Sequence, residues 1–172
     1  MIVLSDSWRL GDINANLIGL ILVGKILMAA LSRVDSLGQN LSTFYLYIDE
    51  FQNITTDSIA TILSEARKYR LSMTIAHQFI GQLEDKIKDA VFGNVGSMIS
   101  FRVSADDAPL LAKQFEPQFE PGDLLQMHNR HFIINMVING EKAPAFSATT
   151  LKLPPEQIDN SPQIIENSRR LY

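Results

Sequence analysis

The sequence contains no cysteine and a single tryptophan. Without thiols there is no disulfide framework and no thiolate metal centre, which suits a reducing compartment. It also lacks an excess of basic residues: 15 Lys and Arg stand against 19 Asp and Glu, for a formal net charge of −4. The surface as a whole is therefore not a polyanion-binding one, and contact with phosphates is left to a local patch or to a pore loop in an oligomer. No charged n-region and cleavage site accompany the apolar start, so no secretory signal is read. Internal repeats and low-complexity tracts are missing too. What remains is ordinary globular composition, 46% hydrophobic and 20% charged over 172 residues. One domain of that size buries ~70% of its unfolded surface.

The longest apolar run covers residues 15–31, interrupted by Asn16 and Lys25. It falls short of the ~20 apolar residues that a membrane-spanning helix needs. The expectation is a helix over 14–34, apolar nearly all round and buried in the core of a soluble chain.

A second apolar run organises the rest. Residues 44–48 read Phe-Tyr-Leu-Tyr-Ile and are followed by Asp49 and Glu50. Such a run predicts a strand buried on both faces, as in a parallel sheet covered by helices. Ligands of open α/β sheets collect at the carboxyl ends of strands, where these two carboxylates fall. The pattern resembles a Walker B motif, in which the first acid helps to hold Mg²⁺ through water and the second polarises the attacking water.

Around that stretch the patterning alternates. A short strand is expected at 1–4, a loop at 5–12, and a polar connection at 35–42. The Thr55-Thr56-Asp57-Ser58 cluster offers N-caps for an amphipathic helix over 57–69. A strand at 71–76, helix in two pieces over 80–92, a turn at 93–96 and a strand at 97–103 follow. Residues 104–107 cap a helix to about 115, and a strand at 132–138 reaches Asn139-Gly140, a type I′ turn signal leading to 143–149. From 153 the prolines predict an extended tail. The fold class expected is α/β, a mostly parallel sheet flanked by helices and ending in a β-hairpin, with residues 1–151 as the domain and 152–172 as the tail.

A P-loop ATPase requires a Gly-rich phosphate loop, and the near match running from Gly19 through Gly24 and Lys25 to Ile26 does not supply one. Ile26 stands where the Mg²⁺-contacting hydroxyl belongs, and the intervening residues are bulky helix formers. Gln78 ends the strand after the Walker-B-like one, close enough in a doubly wound sheet to sense a γ-phosphate or orient water. Lys68 and Arg70 are explained as cations offsetting a helix dipole, whereas Arg67 is also a candidate for reaching a neighbour's γ-phosphate. His77 is read as structural, Asp106 and Asp107 as helix N-terminal charges. His128 and His131 lack a third ligand and are read as solvated loop residues.

Taken in order, Ile48-Asp49-Glu50-Phe51-Gln52-Asn53, Leu63-Ser64-Glu65-Ala66-Arg67-Lys68-Tyr69, Ala76-His77-Gln78, Gly93-Asn94-Val95-Gly96, Phe101-Arg102-Val103 and Asp106-Asp107-Ala108 are more specific than any one of them. The set resembles the C-terminal half of the TraD/TraG-type coupling proteins of conjugation and type IV secretion, in the FtsK/HerA branch of motor ATPases. The resemblance implies the Walker B half of a RecA-like P-loop domain, acting as a homo-hexamer at the cytoplasmic face of the bacterial inner membrane. Its cargo would be single-stranded DNA or nucleoprotein, and its partner a relaxosome accessory protein such as TraM. It also implies Asp49 as the aid to Mg²⁺, Glu50 as catalytic base, Gln78 as sensor and Arg67 as trans-acting arginine finger. Mg-ATP would bind only with a Walker A half supplied from elsewhere. A HerA-like DNA translocase and a non-catalytic, partner-binding adaptor are the alternatives. Phosphate release by the isolated chain in Mg-ATP should be indistinguishable from background; turnover that Glu50→Gln abolishes would overturn this.

Overall fold

The computed structural model describes residues 12–36, 41–152 and 160–171. The strand expected at 1–4, parts of the loops expected at 5–12 and 35–42, and most of the connection after Lys152 lie outside the described residues.

The first half builds one layered core. Helix α1 (Asp12–Leu31) continues as a 3₁₀ turn over Ser32–Ser36. Strands β1 (Phe44–Ile48) and β2 (Leu71–Ile75) pair in parallel, from Phe44 opposite Leu71 to Ile48 opposite Ile75. Their connection is a crossover through α2 (Asp57–Glu65) and a 3₁₀ turn at Ala66–Tyr69, as a parallel pair requires. Helix α3 (Asp85–Asn94) follows a short 3₁₀ turn at Ile80–Gln82, the two pieces expected there. Val23 and Leu27 of α1, Ile59 and Ala60 of α2, and Ile87 and Val91 of α3 close on Leu46, Ile48, Phe51 and Leu71. Arg33 braces this layer, donating from Nη1 to the carbonyls of Ser42 and Tyr69, each at 3.2 Å.

Two expectations about burial are corrected. Strand β1 is covered on one face only: Leu46 and Ile48 are 5% and 7% exposed, whereas Tyr45 and Tyr47 are 62% and 51% exposed. Among the described residues, the core-forming side chains of α1, α2 and α3 gather with Leu46 and Ile48. Tyrosine tolerates the wet face because its hydroxyl needs no protein partner there. Likewise α1 is not buried all round. Val23, Leu27 and Ala30 face the core, while Leu17, Ile21 and Met28 are 54%, 57% and 67% exposed. The window 14–34 is long and apolar enough for a membrane span by composition, yet its inner face is already packed on the sheet.

The second half is antiparallel. Strand β3 (Met98–Ser100) pairs with β4 (His131–Asn135), reached through α4 (Ala108–Phe115) and α5 (Pro121–Leu125). Strands β5 (Val137–Ile138) and β6 (Glu141–Lys142) form the hairpin expected around Asn139-Gly140. Both turn residues have positive φ, 53° and 88°, as a type I′ turn demands. Strand β7 (Phe146–Thr149) then returns beside β4, in the order β3-β4-β7. The described sheets are therefore one parallel pair and two antiparallel ones, not a mostly parallel sheet. Beyond β4 the strands are joined by short turns, and β3 and β4 pair antiparallel despite the two helices that connect them. A second core of Ala108, Leu111, Phe115, Leu124, Met127 and Ile133 holds this half, with Ile80 joining it from the first. Asn135, buried in β4, accepts from the Met98 N–H at 3.1 Å and donates to the Gln114 carbonyl at 2.7 Å, tying α4 to the sheet.

The tail expected to be extended carries a helix, α6 (Ser161–Leu171), with Pro162 in its first turn, where a missing N–H costs nothing. Its described side chains are exposed. Phe51 is fully buried directly after the carboxylate pair. Phe51→Ala should cost ~3–5 kcal/mol in urea unfolding, against ~0.5 kcal/mol or less for Tyr45→Ser on the open face.

Candidate functional site at the carboxyl ends of the parallel strands

The ladder between β1 and β2 extends past both strand ends. Ala76 N–H donates to the Ile48 carbonyl at 2.8 Å, and Phe51 N–H to the Ala76 carbonyl at 2.9 Å. Between those bonds Asp49 and Glu50 must turn sharply out of the strand. Glu50 does so with φ 50° and ψ 45°, a left-handed conformation that a non-glycine residue adopts at a cost of roughly 1–3 kcal/mol. Asp49 steadies the turn, its Oδ1 accepting the Glu50 N–H at 2.9 Å.

This geometry brings together Glu50 and Gln78, 28 residues apart in the chain. Gln78 Nε2 donates to Glu50 Oε1 at 2.5 Å. Gln52, on the 3₁₀ turn Phe51–Ile54, donates from Nε2 to Glu50 Oε2 at 2.5 Å. The carboxylate is thus held by an amide on each oxygen, which fixes its plane. Gln52 stands in the Ile48–Asn53 motif without a role of its own in the sequence; the signal was its spacing two residues after Glu50, which a tight turn converts into contact. Its Oε1 is buried without a protein partner, an acceptor turned toward no donor.

Asp49 is exposed, and its Oδ1 is engaged while the described hydrogen bonds leave Oδ2 to solvent. One outward carboxylate oxygen beside a fixed second carboxylate suits a hydrated Mg²⁺, which keeps several waters and takes its other ligands from phosphate. No group of three or more metal-ligating side chains occurs among the described residues.

Arg67 is not brought to this site. It is exposed on the 3₁₀ turn that precedes β2, at the amino end of the parallel pair. Asp49, Glu50 and Gln78 follow the carboxyl ends, and five strand residues at ~3.3 Å each put roughly 16 Å between the two ends. Gly19, Lys25 and Ile26 all lie within α1, so the near match to a phosphate loop is a stretch of helix.

Behind Gln78 the loop is pinned to the second core. Asp107, buried at the start of α4, accepts the Ile80 N–H through Oδ2 at 3.3 Å, while its own N–H donates to Ser104 Oγ at 3.3 Å. Asp107 does stand at the helix N-terminus, but its carboxylate caps a neighbouring turn rather than its own helix. Asp106 is exposed. His128 and His131 are exposed with rings 5.8 Å apart, edge to face.

His77 is half-buried, and burial holds its imidazole below the ordinary value of 6.5 despite a hydrogen bond to the Phe79 backbone and the nearby carboxylates of Asp107 and Glu50. Its Nδ1 is buried without a hydrogen-bond partner.

The α/β chain thus displays two adjacent carboxylates and a clamping glutamine at the carboxyl ends of two parallel strands. Residues 43–114 match the family model described as the TraM recognition site of TraD and TraG. No curated protein matches the chain. Over those residues the chain is similar to the C-terminal, TraM-recognition region of the TraD/TraG coupling proteins. Asp49, Glu50, Gln52, Arg67, Gln78 and Asp107 all fall inside that stretch.

The depressed His77 value sets a pH dependence. Between its folded value and 6.5 the unfolded chain binds a proton that the folded chain does not, so stability is full above 6.5 and is lost as pH falls through the folded value. Urea midpoints should drop more between pH 7.5 and pH 5 for the natural protein than for His77→Gln.

Proposed function

We propose that this chain is the Walker B and sensor half of a RecA-like motor ATPase that couples ATP hydrolysis to DNA transfer in conjugation or type IV secretion. The observation that carries the reading is the Glu50 carboxylate, held by Gln78 from the neighbouring parallel strand and by Gln52 from its own turn. A general base gains from a fixed orientation, since a misplaced carboxylate cannot take a proton from an attacking water. Asp49 directs a free oxygen outward and would hold Mg²⁺ through water; bound Mg-ATP would supply the scissile phosphoanhydride. Gln78, bonded to the base, can report on a γ-phosphate by exchanging that bond for one to a phosphate oxygen. Arg67, at the opposite strand end, fits a role on a neighbouring subunit's nucleotide, as in a ring such as a homo-hexamer. Single-stranded DNA or nucleoprotein is the cargo, and the cytoplasmic face of the bacterial inner membrane the place of work.

The family description also supports a binding role. Recognition of TraM, a relaxosome accessory protein, is ascribed to this region of TraD and TraG, and we infer that the chain docks such a protein.

The test is to co-express the chain with a coupling-protein segment that carries Gly-x-x-x-x-Gly-Lys-[Ser/Thr] and to measure Mg-dependent phosphate release. Glu50→Gln should lower turnover by ~10²–10⁴-fold, the range for loss of a general base. Turnover unchanged by Glu50→Gln would sink the motor reading. Capture of an accessory protein that survives Asp49→Ala combined with Glu50→Ala, without any turnover, would leave the adaptor reading in its place.

A further inference from the structure

Away from the carboxylate pair, the antiparallel sheet brings rings and cations together. Residues directly opposite each other in an antiparallel pair share a face. The β3–β4 register, from Met98 opposite Asn135 to Ser100 opposite Ile133, continues to Phe101 opposite Phe132, whose rings lie 5.8 Å apart and tilted by 55°. Phe146 of β7 stands opposite Ile134, two residues along β4 from Phe132 and therefore on the same face. The other face holds Ile133, in the second core, and Asn135, bonded to α4. The ring-bearing face is open: Phe101 and Phe146 are 48% and 45% exposed, and Ile99, two residues before Phe101, is 56% exposed.

The cations gather at one end of that sheet. Arg102 directly follows Phe101. Arg130 precedes β4, and its carbonyl accepts the Thr150 N–H at 2.8 Å, so the end of β7 and Lys152 just beyond it arrive at the same place. All three cations are exposed, and none takes part in an ion pair among the described residues. In a chain of formal net charge −4 this is a local reversal of sign. Arg130 is also held under strain. It occupies the third position of a turn closed by the His131 N–H on the His128 carbonyl at 3.1 Å, and its φ is 67°. Glycine or asparagine takes that left-handed position freely, whereas arginine takes it at a cost that no packing of its exposed side chain offsets.

Open rings beside unpaired cations suit one class of ligand. A single-stranded polynucleotide offers a π-face on every base and a charge on every phosphate, and proteins bind it by stacking the one and neutralising the other. Phe132 touches Phe101 and has Phe146 as its diagonal neighbour, at the roughly 7–8 Å typical of such pairs, so the rings step across three strands. A duplex keeps its bases stacked on one another and leaves the rings unused. A bilayer takes protruding apolar side chains, but Phe132 is half-buried with the Phe101 ring tilted against it.

We propose that the Phe101, Phe132 and Phe146 face of the β3-β4-β7 sheet binds a single-stranded polynucleotide, with bases on the rings and phosphates along Arg102, Arg130 and Lys152. The site lies on a different sheet from the strand that leads to Asp49 and Glu50 and requires no nucleotide, so its test is independent of the motor reading.

Fluorescence anisotropy of a labelled oligothymidine of about 15 nucleotides, titrated with the purified chain without Mg-ATP, should give a dissociation constant on the order of 10 µM at about 50 mM salt. Three phosphate contacts on a single strand set a slope of roughly −2 in log affinity against log salt, so affinity should fall roughly twentyfold by about 200 mM. Phe101→Ala should weaken single-strand binding by about fivefold or more and leave the weaker duplex binding unchanged. Arg130→Gly separates binding from folding. It relieves the left-handed turn, so the urea midpoint should hold or rise while affinity drops and the salt slope flattens by about 0.7. An oligouridine of the same length distinguishes RNA from DNA as the source, and tight binding of either, lost with Phe101→Ala, supports the proposal. No anisotropy change up to about 100 µM chain, a duplex bound as tightly as the single strand, or affinity untouched by Phe101→Ala and Arg130→Gly would each overturn it. So would flotation with phosphatidylglycerol vesicles in place of oligonucleotide binding, which would make this face a membrane contact.

Discussion

The parallel pairing of Phe44–Ile48 with Leu71–Ile75 is the constraint on which the rest depends. It forces a crossover, and the crossover is the amphipathic helix that roofs the first core. The pairing also runs on past both strands through the Ile48–Ala76 and Phe51–Ala76 backbone bonds. Those bonds leave Asp49 and Glu50 only a tight, left-handed path between them. The strained backbone at Glu50 is thus a by-product of closing the ladder around two residues. The buried Phe51 ring, at 0% exposure, holds the far side of the turn in place.

Once the turn is set, the carboxylate is aimed rather than merely present. Gln52 and Gln78 approach it from the same turn and from the neighbouring strand, so its orientation depends on two segments of chain remaining in register. Asp107 extends that dependence into the second core by holding the Ile80 amide two residues after Gln78. His77 lies between these groups and is kept neutral by burial against the pull of both carboxylates. A displacement of α4 would therefore be felt at Gln78 and, through it, at Glu50.

Among the exposed apolar surfaces of the described residues are the Tyr45 and Tyr47 face of the parallel pair and the outer side of α1. They differ in character. The tyrosine face mixes apolar rings with hydroxyls and tolerates water. The outer side of α1 has large aliphatic side chains without such hydroxyls.

Some of this was determined by the sequence alone. The run from Phe44 to Glu50, the Asn139-Gly140 turn and the helical pattern of residues 15–31 each carry their structure locally, because period and positive φ act over a few residues. The pairing of Gln78 with Glu50 was legible for the same reason, since a strand-helix-strand unit brings consecutive carboxyl ends together. Only the tertiary structure decided the remainder. Gln52 joins the site because a 3₁₀ turn folds it back, and Asp107 caps Ile80 instead of its own helix because two distant segments meet. Arg67 is carried to the opposite strand end by the crossover. Which faces of β1 and α1 are covered depends on where the other helices land, and an apolar residue in sequence does not say whether its neighbour will arrive from its own chain or from another.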